Sequence, residues 1–232
     1  MVFVEEPLAP VLAEDDVHHL VDVLRLRPGE PVVACDGRGT WTQCHFEGDG
    51  ARGRGGAAVL VVDGEPVVEE RSTPPIAVAF APVKGDRPEW VVQKLTELGV
   101  DRIVPIRTAR SVVRWDGTRA ARTEARLRRV AREAAAQCRR TWLPSVEATT
   151  SFEVLADLSD GAPLLARPGG GPPSLDHPFV AVGPEGGFDD EELDRFPGGV
   201  GLGPTVLRSE TAAVVAGALL CALRAGLARP LR

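Results

Sequence analysis

Lysine is nearly absent: of 27 basic residues only Lys84 and Lys94 are lysines, and the rest are arginines. With abundant Ala, Gly and Pro, this is the signature of a GC-rich genome, so arginine count alone carries no functional argument. Cysteine is scarce as well, and Cys35, Cys44, Cys138 and Cys221 form neither a CxxC pair nor a close cluster with His. No zinc site or disulfide framework is legible in that spacing, and buried free thiols in a reducing cytoplasm are the expectation. Long apolar runs are missing too. The longest uncharged one, residues 211–223, stops at Arg224 and falls short of the ~20 residues needed to span a bilayer. The opening Met1-Val2-Phe3-Val4-Glu5-Glu6-Pro7 lacks the basic start and apolar core of a signal peptide. A cytoplasmic protein without a membrane segment is therefore expected.

What remains is ordinary for a globular chain. Apolar residues make up 44% and charged residues 26% of 232 positions, enough for a well-buried core in one domain or two. The formal net charge of −6 argues mildly against a protein that grips nucleic acid over its whole surface, but distribution matters more than the sum. Between Arg107 and Arg140 eleven Arg stand against three acids, Asp116, Glu124 and Glu133, a local balance of +8. Such a stretch can follow a phosphate backbone even on an acidic protein. It is equally the solvated face of an Arg-biased helix.

Two patterns divide the chain. Residues 1–72 read as short strands at 31–35, 40–46 and 57–62, with Asp36-Gly37-Arg38-Gly39 as a hairpin signal. A helix over 14–26 precedes them, with Val17, Leu20, Val21 and Leu24 at helical spacing. This predicts a small β-barrel with a helix. The polar, Pro-terminated segment 69–75 reads as a domain linker. From Ile76, strands at 76–83, 102–106, 163–166, 179–183 and 200–203 alternate with helices at 88–98, 119–139, 152–158, 190–196 and 210–227. That alternation predicts an α/β domain with a parallel sheet. Ligands of such sheets bind outside the carboxyl ends of the strands.

Three loops follow strands there: Leu165-Ala166-Arg167 with the irregular 168–173, Gly183-Pro184-Glu185-Gly186-Gly187-Phe188, and the segment 202–212. Glycines after neighbouring strands permit close approach of a small molecule, although an isolated Gly-Gly also suits a plain turn. Neither Gly-containing loop matches GxGxxG, and no Gly-Lys-Ser/Thr ends a P-loop. Spacing alone leaves a ligand-binding α/β domain whose ligand is unspecified.

The pair "GPEGGF" and "LGPTVLRSETA", together with "HHLVDVLRLRPGE", "DGRG", "VKGDRPEWVVQKLTELGV", "RIVPI" and "EAAAQCRRTWLPSV" in this order, resembles the RsmE-type 16S rRNA uracil-N3 methyltransferases of the SPOUT superfamily. The resemblance spans nearly the whole chain. It implies a PUA-like β-barrel RNA-binding domain over 1–72. It also implies a knotted α/β methyltransferase domain over 73–232, whose parallel sheet ends in a C-terminal trefoil knot, a rare exception to unthreaded topology. A homodimer acting on 16S rRNA of the 30S subunit and an S-adenosylmethionine cofactor come with it, and no metal. Carried onto this sequence, the cofactor residues are Leu165, Ala166, Gly183, Pro184, Glu185, Gly186, Gly187, Leu202, Gly203, Leu207, Thr211 and Ala212. Helix 211–223 then has a use against a partner subunit, or simply within its own domain.

The chemistry assigns the remaining roles. Neutral uracil N3 is a poor nucleophile, so its proton must leave or the developing anion must be stabilised. Arg208 suits the second task, its alternative being a structural ion pair. Glu210 suits the first, unless, with Ser209 as an N-cap, it merely opens the last helix. The resemblance, not the chemistry, implies RNA contacts at Arg25 and at Arg140, which stands with Gln137 in the family's Q-x-x-R region; Lys84 after the first strand suits a phosphate or the target base, or is plain surface charge, and Arg126 and Arg129 are the RNA-binding candidates of the arginine stretch. His18 and His19 neighbour no nucleophile and read as helix surface. Glu185 is a pocket-shaping loop residue rather than a catalytic acid. Thr205 departs from a usual basic residue, Ala136 from a usual acid, and the N-terminus lacks the usual basic opening. Alternatives are 2′-O-ribose methylation within the superfamily, or a non-catalytic RNA-binding protein.

Overall fold

The computed structural model describes residues 1–48, 58–113, 115, 117–158 and 161–229. They form two compact units: Met1–Arg71 with Ala135–Leu143, and Ser72–Ala134 with Pro144–Arg232.

The first unit contains strand β1 (Val2–Phe3), helix α1 (Glu14–His18) running into a π-helical turn at His19–Val23, and strands β2 (Pro31–Cys35), β3 (Thr40–Glu47), β4 (Val59–Val62) and β5 (Val67–Val68). The strands pair in the order β1-β2-β3-β4, with β5 on β3. The Asp36–Gly39 hairpin closes as expected: Asp36 Oδ1 accepts from the Arg38 and Thr40 amides at 2.6 and 3.0 Å. The helix is shorter than its periodicity predicts. Its regular part stops at His18, the π-helical turn carries the chain to Val23, and Arg25 adopts a left-handed φ of 56°; Pro28, without an amide hydrogen, is a poor continuation for a helix. The expected strand at 57–62 begins at Val59, residue 57 lying outside the described residues. Val2, Leu20, Val32, Ala34, Phe46 and Leu60 form the core.

Segment Ala135–Leu143 belongs to this unit through Glu69. That carboxylate accepts from Trp41 Nε1 at 2.8 Å and Thr141 Oγ1 at 2.7 Å, while its backbone carbonyl accepts from Trp142 Nε1 at 3.0 Å. The Arg71 guanidinium lies 5.6 Å from the Trp142 ring centroid, within cation–π range. All four cysteines are free, Cys35, Cys44 and Cys221 buried as expected and Cys138 only half-buried.

The second unit comprises β6 (Ala77–Phe80), α2 (Arg87–Leu98), β7 (Arg102–Arg107), α3 (Gly117–Cys138) up to Ala134, β8 (Ser145–Val146), β9 (Thr150–Ser151), a 3-10 segment (Phe152–Leu158), β10 (Leu164–Gly171), β11 (Phe179–Val182), α4 (Asp190–Arg195), β12 (Gly199–Val200) and α5 (Ser209–Arg224). Its strands lie in the order β12-β10-β11-β6-β7-β8, with β9 on β7, and every pairing is parallel. The segment around β6 shows why helices must cover both faces. Ile76, Val78 and Phe80 enter one core cluster with Val91, Leu95 and Leu220, while Ala77, Ala79 and Ala81 enter another with Phe152, Phe188 and Phe196. Side chains alternate sides along a strand, so a run apolar at every position is buried twice over.

Helix α5 seats against α2 through small residues. A Cβ at Gly217 would stand 2.6 Å from Leu95 Cδ2 and 3.0 Å from Val100 Cγ2. At its far end Arg224 donates to the carbonyls of Pro74 and Gly99 at 3.2 and 2.7 Å and pairs with the Asp101 carboxylate. This fixes the helix axis, and with it the position of its first turn at the carboxyl edge of the sheet.

Candidate active site

At that edge the bulged part of β10, the loops after β11 and β12 and the first turns of α5 line a cavity of about 410 Å³. Each wall has a local cause. Leu165 and Ala166 of β10 pair with Gly199 and Val200, and Gly171 then pairs with Val200 again, so residues between Ala166 and Gly171 bulge from the ladder. Only glycine fits where the chain returns, because a Cβ at Gly170 would stand 2.7 Å from the Gly201 amide nitrogen.

The second wall starts at Gly183, whose carbonyl accepts from Ser209 Oγ at 2.8 Å. The Gly187 amide donates to the Pro184 carbonyl at 2.8 Å, and Gly187 takes φ +68°, a conformation that costs a side-chain-bearing residue about 1 kcal/mol or more. The acids that follow have a structural task. Asp189 and Glu192 form a reciprocal capping box on α4, and Glu192 Oε1 also accepts from the Ala109 amide at 2.8 Å. Arg110 donates to the Gly186 carbonyl at 2.8 Å. The cofactor-side loop is thereby tied to the loop after β7.

Of the twelve residues expected to hold a cofactor, Ala166, Gly183, Pro184, Glu185, Gly187, Leu202, Gly203, Leu207 and Ala212 line the cavity. Leu165 sits beneath it, fully buried in the core. Gly186 has its carbonyl held by Arg110, and Thr211 faces solvent on α5. Arg167, Pro168, Gly169, Phe188, Pro204, Thr205, Val206 and Ser209 also line it. Their signal in the sequence was adjacency to the glycine loops. Ser209 differs from its expected role, since Arg208 is the N-cap of α5 and the Ser209 hydroxyl donates to the Gly183 carbonyl instead.

Glu210 is 12% exposed, and its Oε1 lies 3.3 Å from Arg87 Nη1 at the start of α2. Its Oε2 is buried and has no hydrogen-bond partner among the described residues. The Arg208 guanidinium is exposed and, among the described residues, has no hydrogen bond or ion pair. The residues expected to touch RNA scatter more widely. Arg25 is exposed in the first unit, and Arg140 is half-buried in the Ala135–Leu143 segment. On α3, Arg126 pairs with Glu89 at 3.1 Å and Arg129 with Glu133 at 3.5 Å, while Arg128 donates to the Val146 carbonyl at 3.1 Å. Part of the arginine stretch is therefore committed to holding its own unit. Lys84 is exposed beside a second cavity after β6 and β7.

The arrangement fits S-adenosylmethionine in shape and chemistry. Cβ atoms built on Gly187 and Gly203 meet nothing within 4 Å, so open room lies against these backbones. The walls combine apolar Ala166, Leu202 and Leu207 with backbone polar groups of the glycine loops, the mixture that small-molecule sites use.

Comparison with known proteins agrees with this reading. An RNA methyltransferase domain model matches residues 69–221, and an RNA methyltransferase PUA domain model matches residues 12–52. The ribosomal RNA small subunit methyltransferase E of Bacillus subtilis is 30% identical over 238 residues, covering 92% of this chain and 90% of that protein. Its counterpart from Mycobacterium tuberculosis is 36% identical over 230 residues, covering 89% and 83%. Among solved structures, a Legionella pneumophila methyltransferase with bound SAM aligns with TM-score 0.82 at 27% identity, over 95% of this chain and 96% of that one. A ribosomal RNA small subunit methyltransferase E from Neisseria gonorrhoeae bound to S-adenosyl methionine aligns with TM-score 0.77 at 28% identity over the same shares. A parallel sheet with a glycine-walled cavity at its carboxyl edge, and relatives aligned over nine-tenths of its length, place this chain in the ribosomal RNA small subunit methyltransferase E family.

Proposed function

We propose that the protein is an S-adenosylmethionine-dependent methyltransferase that methylates N3 of a uridine in 16S rRNA of the small ribosomal subunit. The observation that carries this is the 410 Å³ cavity formed by the bulged part of β10 and the loops after β11 and β12, and bounded by Leu207, Ser209 and Ala212 at the start of α5; Arg208 and Glu210 stand on the same turn without lining it. When bound, the cofactor supplies a sulfonium methyl group, whose transfer to N3 leaves the bonding pair on sulfur and releases the N3 proton. Ala166, Gly183, Gly187, Leu202, Gly203 and Leu207 hold the cofactor.

The protein's own part is orientation, charge and the proton. Fixing two reactants in line is worth about 7–11 kcal/mol in well-aligned systems. Arg208, the N-cap of α5, with its guanidinium exposed and unpaired among the described residues, stabilises negative charge developing on the uracil carbonyls. Glu210, held through one oxygen by Arg87 and with the other unpartnered among the described residues, takes the N3 proton. The first unit serves as the RNA-binding PUA-like domain and the second as the methyltransferase domain. The same reading includes a trefoil knot, a cytoplasmic setting and a homodimer, for which the half-buried Val214, Val215, Ala218 and Leu219 on the outer side of α5 offer apolar surface.

The decisive experiment is mass spectrometry of 16S rRNA nucleosides from a strain lacking the gene. Loss of 3-methyluridine there, restored by the plasmid-borne gene, is the expected result. Retention of the modification overturns the substrate, and calorimetry showing no S-adenosylmethionine binding overturns the enzyme.

A further inference from the structure

We propose that Arg110 is a positioning residue for the cofactor: from behind the turn after β11 it fixes the Gly186–Gly187 peptide in the conformation that the cofactor meets. The inference rests on the methyltransferase reading and adds which residue outside the cavity sets cofactor affinity. Arg110 Nη1 donates to the Gly186 carbonyl at 2.8 Å, and a Cβ built on Gly186 would stand 3.5 Å from Arg110 Cβ and Cδ. Pro184, Glu185 and Gly187 line the cavity, whereas Gly186 and Arg110 do not. The Arg110 side chain therefore packs on the turn at the residue that leaves the ligand side free. The Gly187 amide belongs to the same peptide unit as the Gly186 carbonyl, and it donates to the Pro184 carbonyl at 2.8 Å. Both ends of that peptide are thus held.

The grip reaches across the sheet. Strands lie in the order β11-β6-β7, so the segment after β7 passes the carboxyl end of β6 to hold the turn after β11. That segment is itself stiff. The Thr108 amide donates to Ser111 Oγ at 2.9 Å and the Ser111 amide to the Thr108 carbonyl at 3.1 Å, both residues being buried. Glu192, 7% exposed, anchors the backbone next to Arg110. Its Oε1 accepts from the Ala109 amide at 2.8 Å and its Oε2 from the Asp189 amide at 2.9 Å. One buried carboxylate thereby joins the backbone that presents Arg110 to the residue that follows the cofactor loop.

Two consecutive glycines create the need for such a grip. Glycine loses more backbone freedom on ordering than any other residue, and Gly187 sits at φ +68°. Without Arg110 the turn would present the cofactor with many conformations besides the one that binds. Apparent affinity falls in proportion to the fraction of molecules in the competent conformation, and fixing the turn beforehand removes that loss. The Arg110 side chain is exposed, so its hydrogen bond acts on the local equilibrium of the turn rather than on global unfolding. Cofactor affinity and overall stability therefore respond differently to its removal.

The test is calorimetry of the full-length protein with S-adenosylmethionine. Arg110→Ala is expected to bind it at least fivefold more weakly at an unchanged urea midpoint, and Arg110→Lys, which keeps a donor on an aliphatic stem, to recover part of the loss. Gly186→Ala has room for its Cβ and needs no left-handed φ. By restricting the free turn, it is expected to raise affinity at least twofold when added to Arg110→Ala. Hydrogen exchange of the Gly187 amide should be faster in cofactor-free Arg110→Ala than in the cofactor-free wild type. With 30S subunits from a strain lacking the gene, Arg110→Ala should raise KM for S-adenosylmethionine at least fivefold and change kcat less than twofold. Wild-type affinity in Arg110→Ala, a loss confined to kcat, or a loss that tracks a lowered urea midpoint overturns the proposal while the proposed function stands. Absence of S-adenosylmethionine binding to the wild type overturns the proposed function, and this role with it, so the two failures are told apart.

Discussion

Glu210 has one oxygen engaged by Arg87 and one with no partner among the described residues, although its side chain is only 12% exposed. A buried acceptor left unsatisfied costs about 1–3 kcal/mol, so its persistence in the fold is most simply matched to a ligand proton. Glu210→Gln keeps the shape and removes the charge. It should lower kcat by about 10²–10⁴-fold, the span of general-base contributions, while S-adenosylmethionine affinity by calorimetry stays near wild type. A drop confined to cofactor affinity would return Glu210 to helix-end electrostatics. In the first unit, His45 Nδ1 lies 2.5 Å from Asp63 Oδ1. The Asp63 hydrogen bond, with Glu47 nearby, raises the His45 pKa above its ordinary value. A raised folded-state pKa stabilises the fold fully below the unfolded value of about 6.5 and ceases to do so as pH rises through the folded value. NMR titration should place the His45 midpoint above about 6.5, and Asp63→Asn should bring it back down.

At the scale of elements, α5 is the part whose placement decides the site. Its N-terminal end supplies Ser209 to the Gly183 carbonyl and Glu210 to Arg87, and its C-terminal end is held by Asp101 and Gly99 through Arg224. Between them Gly217 lets the helix lie close on α2. Leu95 and Val100, the residues a Cβ would strike, are fully buried and have nowhere to move. Gly217→Ala should therefore gain helix propensity of about 1 kcal/mol yet lose about 1–3 kcal/mol to overpacking. The expected sum is a lower urea midpoint, whereas the same change on an exposed helix face would raise it. Helix α4 shows a related use of local chemistry, its acid run "DDEEL" serving a capping box and the Ala109 amide rather than catalysis.

For the molecule as a whole, charge is arranged rather than abundant. The net value is −6, yet α3 carries exposed Arg126 and Arg129 at 57% and 68% even while each touches a carboxylate. Such pairs at the surface are worth little, so phosphate can compete for both guanidinium groups. The Arg126→Glu, Arg129→Glu variant should weaken rRNA binding and make the slope of log K against log salt shallower, by about 0.7–0.9 for each phosphate no longer neutralised. An unchanged slope would leave α3 as a solvated helix. Among the described residues no helix is long and apolar enough to cross a membrane.

The sequence by itself determined the elements that repeat a local rule. β2, β7 and β11 begin where their apolar runs predict, α2 ends at Gly99 with φ +98°, and the glycine loops fall at the carboxyl ends of strands. Two-residue strands such as β1, β5, β8 and β9 were not legible, because two positions carry no periodicity. Nor was the return of Ala135–Leu143 to the first unit, which depends on Glu69 gathering Trp41, Thr141 and Trp142 from positions up to 73 residues away. The cofactor loops could be read locally because glycine patterns mark close backbone approach. The second cavity, the Arg87–Glu210 link and the engagement of Ser209 with Gly183 were decided only in the tertiary structure. Local patterning specifies which face of an element is buried, but strand order in the sheet decides which loops emerge side by side.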